Sequence, residues 1–201
     1  MKFTLAKKSN MTQFFSPSGE VFAATLLTCE PLSVTQTKSV SGKDGYDAIQ
    51  VGVYSQKESR ISKAKLGHLR GSAYKVVKEF RTSSGDLAVG AVIAADIFQA
   101  GDIVSVSSVS KGKGFQGVMK LHGFSGGWAQ HGQKHSAREA GSIGSTGQQR
   151  VNRGKKMPGR MGSDKVTEKN REILGVDLEN GLILVKGAVA GKRGTLVELK
   201  G

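Results

Sequence analysis

Gly112-Lys113-Gly114-Phe115-Gln116-Gly117 has the G-x-G-x-x-G spacing that lets a backbone close on a pyrophosphate, and it follows a strand-like run from Asp102 to Val109. Dinucleotide chemistry also needs a helix after the glycines and an acid about 20 residues on. Gly123, Gly126 and Gly127 interrupt such a helix, and the first acid is Glu139. The pattern is therefore read as a tight turn whose bare backbone and two lysines can approach a phosphate. Gly123-Phe124-Ser125-Gly126-Gly127 has the G-x-S-x-G spacing of a nucleophile elbow. That elbow needs a long strand before the serine, a helix after it, and a later Asp and His. His131 and His135 do follow, but no α/β pattern surrounds them, so hydrolase chemistry is set aside. His131 and His135 lie four apart with His122 nearby, a spacing that could hold zinc on a helix. Gly132 interrupts that helix and Glu139 is the only nearby acid. No metal and no cofactor is expected, and the histidines suit contact with RNA phosphates or bases. Cys29 is the only cysteine, in the apolar stretch around Leu26 and Leu27, and reads as a small buried hydrophobe.

The residues around these patterns share one property, which is positive charge. Lys111, Lys113, Lys120, Lys134, Arg138, Arg150, Arg153, Lys155, Lys156 and Arg160 stand against Glu139 alone, so residues 111–162 carry 10 − 1 = +9 of the chain's +14. Thirteen glycines lie in the same window, and no period of two or 3.6 runs through it. A segment so poor in apolar residues cannot bury enough surface to order itself. About fifty residues without structure are unusual inside a small domain, and such loops tend to be functional or disordered. Cationic charge points to an arm that orders on a polyanion, because each neutralised phosphate releases a counterion. Phe115, Phe124 and Trp128 are spread among these cations. Each ring suits either core packing or stacking on an unpaired base.

The rest of the 201 residues must position that segment, and it reads as β structure. Strands are expected at Val21–Leu27, Ala48–Tyr54 and Ala88–Ala94, after turn signals at Ser16–Gly19, Lys43–Gly45 and Ser83–Asp86. Ser62–Lys78 is expected to be helical or irregular, with Gly67 and Gly71 weakening a helix. β texture returns at Asn170–Val176 and Leu182–Val185 around an Asn180-Gly181 hairpin turn. A small-residue connector at 187–191 and a closing strand at 194–199 follow. The basic segment is thus inserted between two β portions able to pair, giving a body of 1–110 and 163–201 and an extension of 111–162. No window of about 18 apolar residues and no basic amphipathic helix marks a membrane partner. The first ten residues hold no apolar signal core, so neither secretion nor a transit peptide is expected.

Ser110–Gly117, Gly141-Ser142-Ile143-Gly144, and Gly154-Lys155-Lys156-Met157 followed by Gly159 and Met161-Gly162 resemble the signature of large-subunit ribosomal protein three. Met11-Thr12-Gln13, Val34-Thr35-Gln36, Asp44–Gln50 and Leu184–Val189 also match, in the family's order and over nearly the whole chain. The short loops resemble the bacterial or organellar form rather than the longer eukaryotic one, and of the two the bacterial type is the expectation. The resemblance implies a translation-protein-type β-barrel body and an extension threading through ribosomal RNA toward the peptidyl-transferase centre. It implies early binding to large-subunit rRNA, contact with neighbouring ribosomal proteins, and a cytoplasmic ribosome as location. The extension tip would lie near Ser142–Gln149, with Lys155, Lys156 and Arg160 on the return path. Family members commonly carry an acid where Ser105 stands, an Arg at Leu121, and Pro-Gly where this chain has Gln148-Gln149. One residue is also missing between Ile143 and Lys155.

The expectation is a mainly β chain with a long irregular basic extension, structural and without a catalytic site or small-molecule substrate. The rRNA-binding residues are expected to be the ten cations above together with Trp128, His131, His135, Gln148 and Gln149. The extension should be disordered in the free protein, since ordering a residue costs about 1 kcal/mol or more. The other readings are a free-standing RNA-binding assembly factor or chaperone and, more remotely, a small enzyme using the Gly-rich turn.

Overall fold

The computed structural model describes residues 2–82 and 87–201. In chain order the strands are β1 (Phe3–Phe15), β2 (Val21–Cys29), β3 (Leu32–Lys38), β4 (Ala48–Ser55), β5 (Tyr74–Phe80), β6 (Val92–Ile93), β7 (Ile103–Val109), β8 (Gly114–Gln116), β9 (Gly159–Met161), β10 (Lys165–Asp177), β11 (Leu182–Lys186) and β12 (Leu196–Lys200). Two short helices, α1 (Lys63–His68) and α2 (Val118–His122), fall after β4 and β8. The chain divides into two units, Met1–Val109 with Lys165–Gly201, and Ser110–Asp164.

The first unit is built on a closed antiparallel barrel in the order β1-β12-β7-β10-β11-β2. Its interior follows strict alternation: Val104 and Val106 on β7, Ile183 and Val185 on β11, Val197 and Leu199 on β12, all buried with Ala6, Leu27 and Ile173. Each such side chain contributes about 1.5–3 kcal/mol on leaving water. A second sheet, in the order β5-β4-β3-β6, packs its own cluster of Leu32, Val34, Ile49, Val51, Val53 and Phe80 against Phe3 and Leu5. β1 is thus a shared wall. Phe3 and Leu5 face the second sheet while Ala6 faces the barrel, and all four residues from Phe3 to Ala6 are buried.

The connector at 187–191 closes one end of the barrel. Val189 joins the core, Lys8 donates through Nζ to the Val189 and Gly191 carbonyls, and Ser108 donates to the Ala190 carbonyl. Arg171 grips Glu168 Oε2 at 2.8 and 3.1 Å, and Glu168 Oε1 accepts from the Ala190 amide. The expected hairpin joins β10 to β11, but its loop spans residues 178–181. Asp177 Oδ1 accepts from the Glu179 and Asn180 amides, and of Asn180 and Gly181 only Gly181 takes a positive φ. A two-residue Asn-Gly turn would need both.

Other expectations shift. The strand expected over Ala88–Ala94 shrinks to Val92–Ile93, which pairs with Ser33 and Leu32 at the sheet edge. The turn expected at Ser83–Asp86 lies outside the described residues. Ser62–Lys78 splits into α1 and the strand β5, because the helix stops at Leu69, where Arg70 turns left-handed, and Tyr74–Phe80 is needed to pair β4. Gly52 on β4 is open to that pairing: a Cβ there would lie 2.6 Å from Cγ of Tyr74, whose ring covers it. Gly52→Ala should therefore cost about 1–3 kcal/mol. Urea unfolding should show that Gly52→Ala adds little when Tyr74→Ala has already removed the ring. Strict additivity of the two substitutions would contradict this packing.

Candidate nucleic-acid interface

The second unit, Ser110–Asp164, begins and ends at the Ser110 amide, which donates to the Asp164 carbonyl at 2.9 Å. The Gly-rich run expected as a tight turn is instead the strand β8, paired antiparallel with β9. The reason lies at Gly162, whose φ of 79° brings it onto the Lys111 carbonyl; no side chain fits there. That close approach, with the Lys113 amide donating to the Met161 carbonyl, zips the ladder. One turn of helix, α2, follows and stops where Gly123 takes the left-handed conformation. Val118 is its one buried residue, and His122 is fixed by a 3.0 Å bond between Nε2 and the Met157 carbonyl.

The ladder gives the unit two faces. Residues opposite each other in an antiparallel pair project to the same side. Gln116 and Met161 are half-buried, and Gly159 approaches Leu121 of α2. Phe115 and Arg160, directly opposite one another, are both exposed. An open aromatic ring beside a guanidinium is suited to a base stacked against a phosphate.

All fifteen residues expected from the sequence are exposed. Lys111 and Lys113 lead into the ladder, Lys120 sits on α2 and Arg160 on β9. Trp128, His131, Lys134, His135 and Arg138 line the irregular stretch after α2, which ends in a short turn of helix at Ser136–Arg138. Gln148 closes a similar turn, and Gln149 takes a left-handed φ of 47°. Arg150, Arg153, Lys155 and Lys156 occupy the irregular return to β9. Trp128 is 76% exposed and Phe115 75% exposed, which decides the choice between core and stacking in favour of an open ring. Phe124 is half-buried near His122, so it serves the unit's own packing. Sequence reasoning singled out Phe115 without pairing it to Arg160. That pairing became visible only once the register was known.

Electrostatics separates the two units. Every ion pair among the described residues lies in the first unit. Lys38 there is held above its ordinary pKa by hydrogen bonds to Tyr46 and Glu79, while Lys38 and Tyr46 hold the Glu79 carboxyl low. None of the ten cations of the second unit's basic window has a carboxylate within reach among the described residues. Cations left in water without partners gain the most from a phosphate, since no existing pair must break.

A cavity of about 430 Å³ is lined by Gly123–Gly127, Ser136, Glu139, Ala140 and Gly141, with no histidine to activate Ser125. No cluster of metal-ligating side chains is found among the described residues. No helix of the described residues is long and apolar enough to cross a membrane.

Comparison with known proteins gives consistent matches. The family described as Ribosomal protein L3 matches residues 48–181. The chain is 45% identical over 202 residues to "Large ribosomal subunit protein uL3" of Exiguobacterium sibiricum, covering 99% of this chain and 96% of that protein. It is 43% identical to the protein of that name from Oceanobacillus iheyensis, covering 98% and 96%. Identity to the one from Bacillus cereus is 42%, covering 100% and 96%.

Trp128 is the only tryptophan, so it reports on this surface alone. Its emission in the free protein should be that of a water-exposed indole open to acrylamide. Adding RNA should quench or blue-shift it and shield it from acrylamide, as a stacked or covered ring requires. Unchanged emission at saturating RNA would remove Trp128 from the interface.

Proposed function

We propose, on the premise that this chain belongs to the ribosomal protein L3 family, that it is a structural constituent of the large ribosomal subunit held there by rRNA. The family is one of ribosomal proteins and the reading assigns the chain no reaction. The barrel unit supplies a stable body. Residues 111–162 form the rRNA-binding extension, with Lys111, Lys113, Lys120, Trp128, His131, Lys134, His135, Arg138, Gln148, Gln149, Arg150, Arg153, Lys155, Lys156 and Arg160 at the contact. In the assembled subunit this extension runs toward the peptidyl-transferase centre, and binding occurs early in assembly. Neighbouring large-subunit proteins complete the surroundings, in a bacterial-type cytoplasmic ribosome.

One observation carries this reading: ten exposed cations without carboxylate partners among the described residues, concentrated in a unit with almost no buried apolar side chain. Phosphate contacts fix position and read little sequence, so shape and unpaired bases supply specificity. Much of the unit's order then comes from RNA. Between residues 123 and 158 the amides should exchange rapidly in free protein and slowly in the complex, and slow exchange without RNA would contradict this.

Replacing Lys155 and Lys156 together with Glu should weaken binding to large-subunit rRNA by about 10-fold or more, since two phosphate contacts are lost and two repulsions gained. The same change at Lys192 and Arg193, exposed on the barrel unit, is the control. Filter binding and sedimentation of the variant with large subunits after a high-salt wash read the two effects. Equal losses for both pairs would contradict the assignment of the extension. Loss of the wild-type chain from washed subunits would favour a free-standing RNA-binding factor.

A further inference from the structure

A second cationic surface lies outside the extension. Between β4 and the start of β5, residues 57–75 hold Lys57, Arg60, Lys63, Lys65, Arg70 and Lys75 against Glu58 alone, a net +5. With the +9 of residues 111–162 this accounts for the whole +14. The other 130 residues balance at fourteen cations and fourteen carboxylates. Among the described residues none of the six has a carboxylate partner, and all but the half-buried Lys65 are exposed.

The surface is built, not loose. Ile61 and Leu69 are buried and anchor it at two points. Ser62 accepts from the Lys65 amide at the start of α1. At the other end the Gly71 amide donates to the Leu66 carbonyl and the Arg70 amide to the Gly67 carbonyl, the paired bonds of a left-handed helix stop. His68 Nε2 meets Gln50 Oε1 at 2.9 Å, tethering α1 to β4.

Arg70 is the telling residue. It occupies the left-handed position of that stop at φ 51°, where glycine is the unstrained choice. An exposed cation is kept there against the preference of the backbone. Strain of this kind persists where the side chain is used.

We propose that the β4–β5 connection is a second RNA-binding surface, one that takes the phosphate backbone of an RNA helix. Its chemistry differs from that of the extension. Of the two aromatic rings in 57–75, Tyr74 is half-buried over Gly52 and the exposed His68 imidazole is tied by Nε2 to Gln50 Oε1. Bases find no ring as open as Phe115 or Trp128 here, and the partner is the regular anionic surface of a duplex. The proposal rests on the ribosomal reading above, and its test keeps the two apart.

The probes are a duplex RNA of about 20 base pairs and a large-subunit rRNA transcript, titrated against the full chain at several salt concentrations. Lys57→Gln, Arg60→Gln, Lys63→Gln and Lys75→Gln combined should weaken duplex binding by about 10-fold or more and flatten the log–log salt dependence by about 3.6, near 0.9 per lost phosphate contact. A variant with Lys43, Lys169, Lys192 and Arg193 changed to Gln loses equal charge from the balanced remainder and should bind as wild type. Arg70→Gly separates binding from folding. It should keep or raise the melting temperature while weakening duplex binding and lowering the slope by about 1. Equal behaviour of the two four-fold variants, or unchanged duplex binding by Arg70→Gly, overturns the second surface. If the transcript also ignores the Lys155/Lys156 variant, the ribosomal reading falls with it; if that variant still weakens transcript binding, only the second surface is lost.

Discussion

Like charges on a compact chain repel, and this chain carries thirty cations against sixteen carboxylates. The structure handles that excess by segregation. Within the barrel unit, cations meet carboxylates: Lys2 with Asp102, Lys38 with Glu79, Lys78 and Lys165 with Glu198, Lys186 with Glu172. Each exposed pair is worth little alone. Their joint effect is to leave most of the body electrically neutral, so folding the barrel does not have to work against net repulsion. The surplus sits where no packing depends on it. A polyanion can then bind those places without disturbing an internal ion pair.

The fold was legible in the sequence where a short β-type run follows a turn signal or is set off by one. β2, β4, β7 and β11 fall within a residue or two of their expected bounds for that reason. β1 was missed for the opposite reasons at its two ends. Phe3 to Ala6 are buried on both sides, which erases alternation, and beyond the register shift between Lys8 and Met11 the strand is largely exposed. Lys8 illustrates a related limit. By type it is a surface cation, yet its ammonium binds two carbonyls at the closed end of the barrel. The connector at 187–191 looked like a simple link of small residues. Its smallness is what lets Val189 enter the core while its carbonyls stay bonded.

In the candidate interface, charge was legible and local geometry was not. Counting cations needs no structure, and all ten named from the sequence are exposed. Pairing Phe115 with Arg160 requires the register of β8 on β9, two three-residue strands separated by 42 residues of chain. No propensity scale sees an element that short and that non-local. The glycines were read as helix breaks and as a turn open to phosphate, whereas Gly162 shows another use: absence of a Cβ lets two backbones of the chain touch and closes the ladder. The same blind spot hid the β4–β5 connection, where a net +5 spread over 57–75 was read for its helical propensity instead of its charge.

Placing the cationic unit between β7 and β10 also has a physical logic. These strands are neighbours, with Val109 paired to Lys165, so the excursion leaves and re-enters the barrel at one point of one ladder. The entropy of closing a loop rises only slowly with its length, by about 0.6 kcal/mol per doubling. A stable ladder can therefore carry fifty inserted residues at little more expense than ten. The inserted segment need not contribute to the barrel, and the barrel need not stabilise it. That independence lets glycine and lysine replace the apolar residues a self-sufficient domain would require. It is also why a chain with a well-packed body can devote a quarter of its length to glycine and exposed cations.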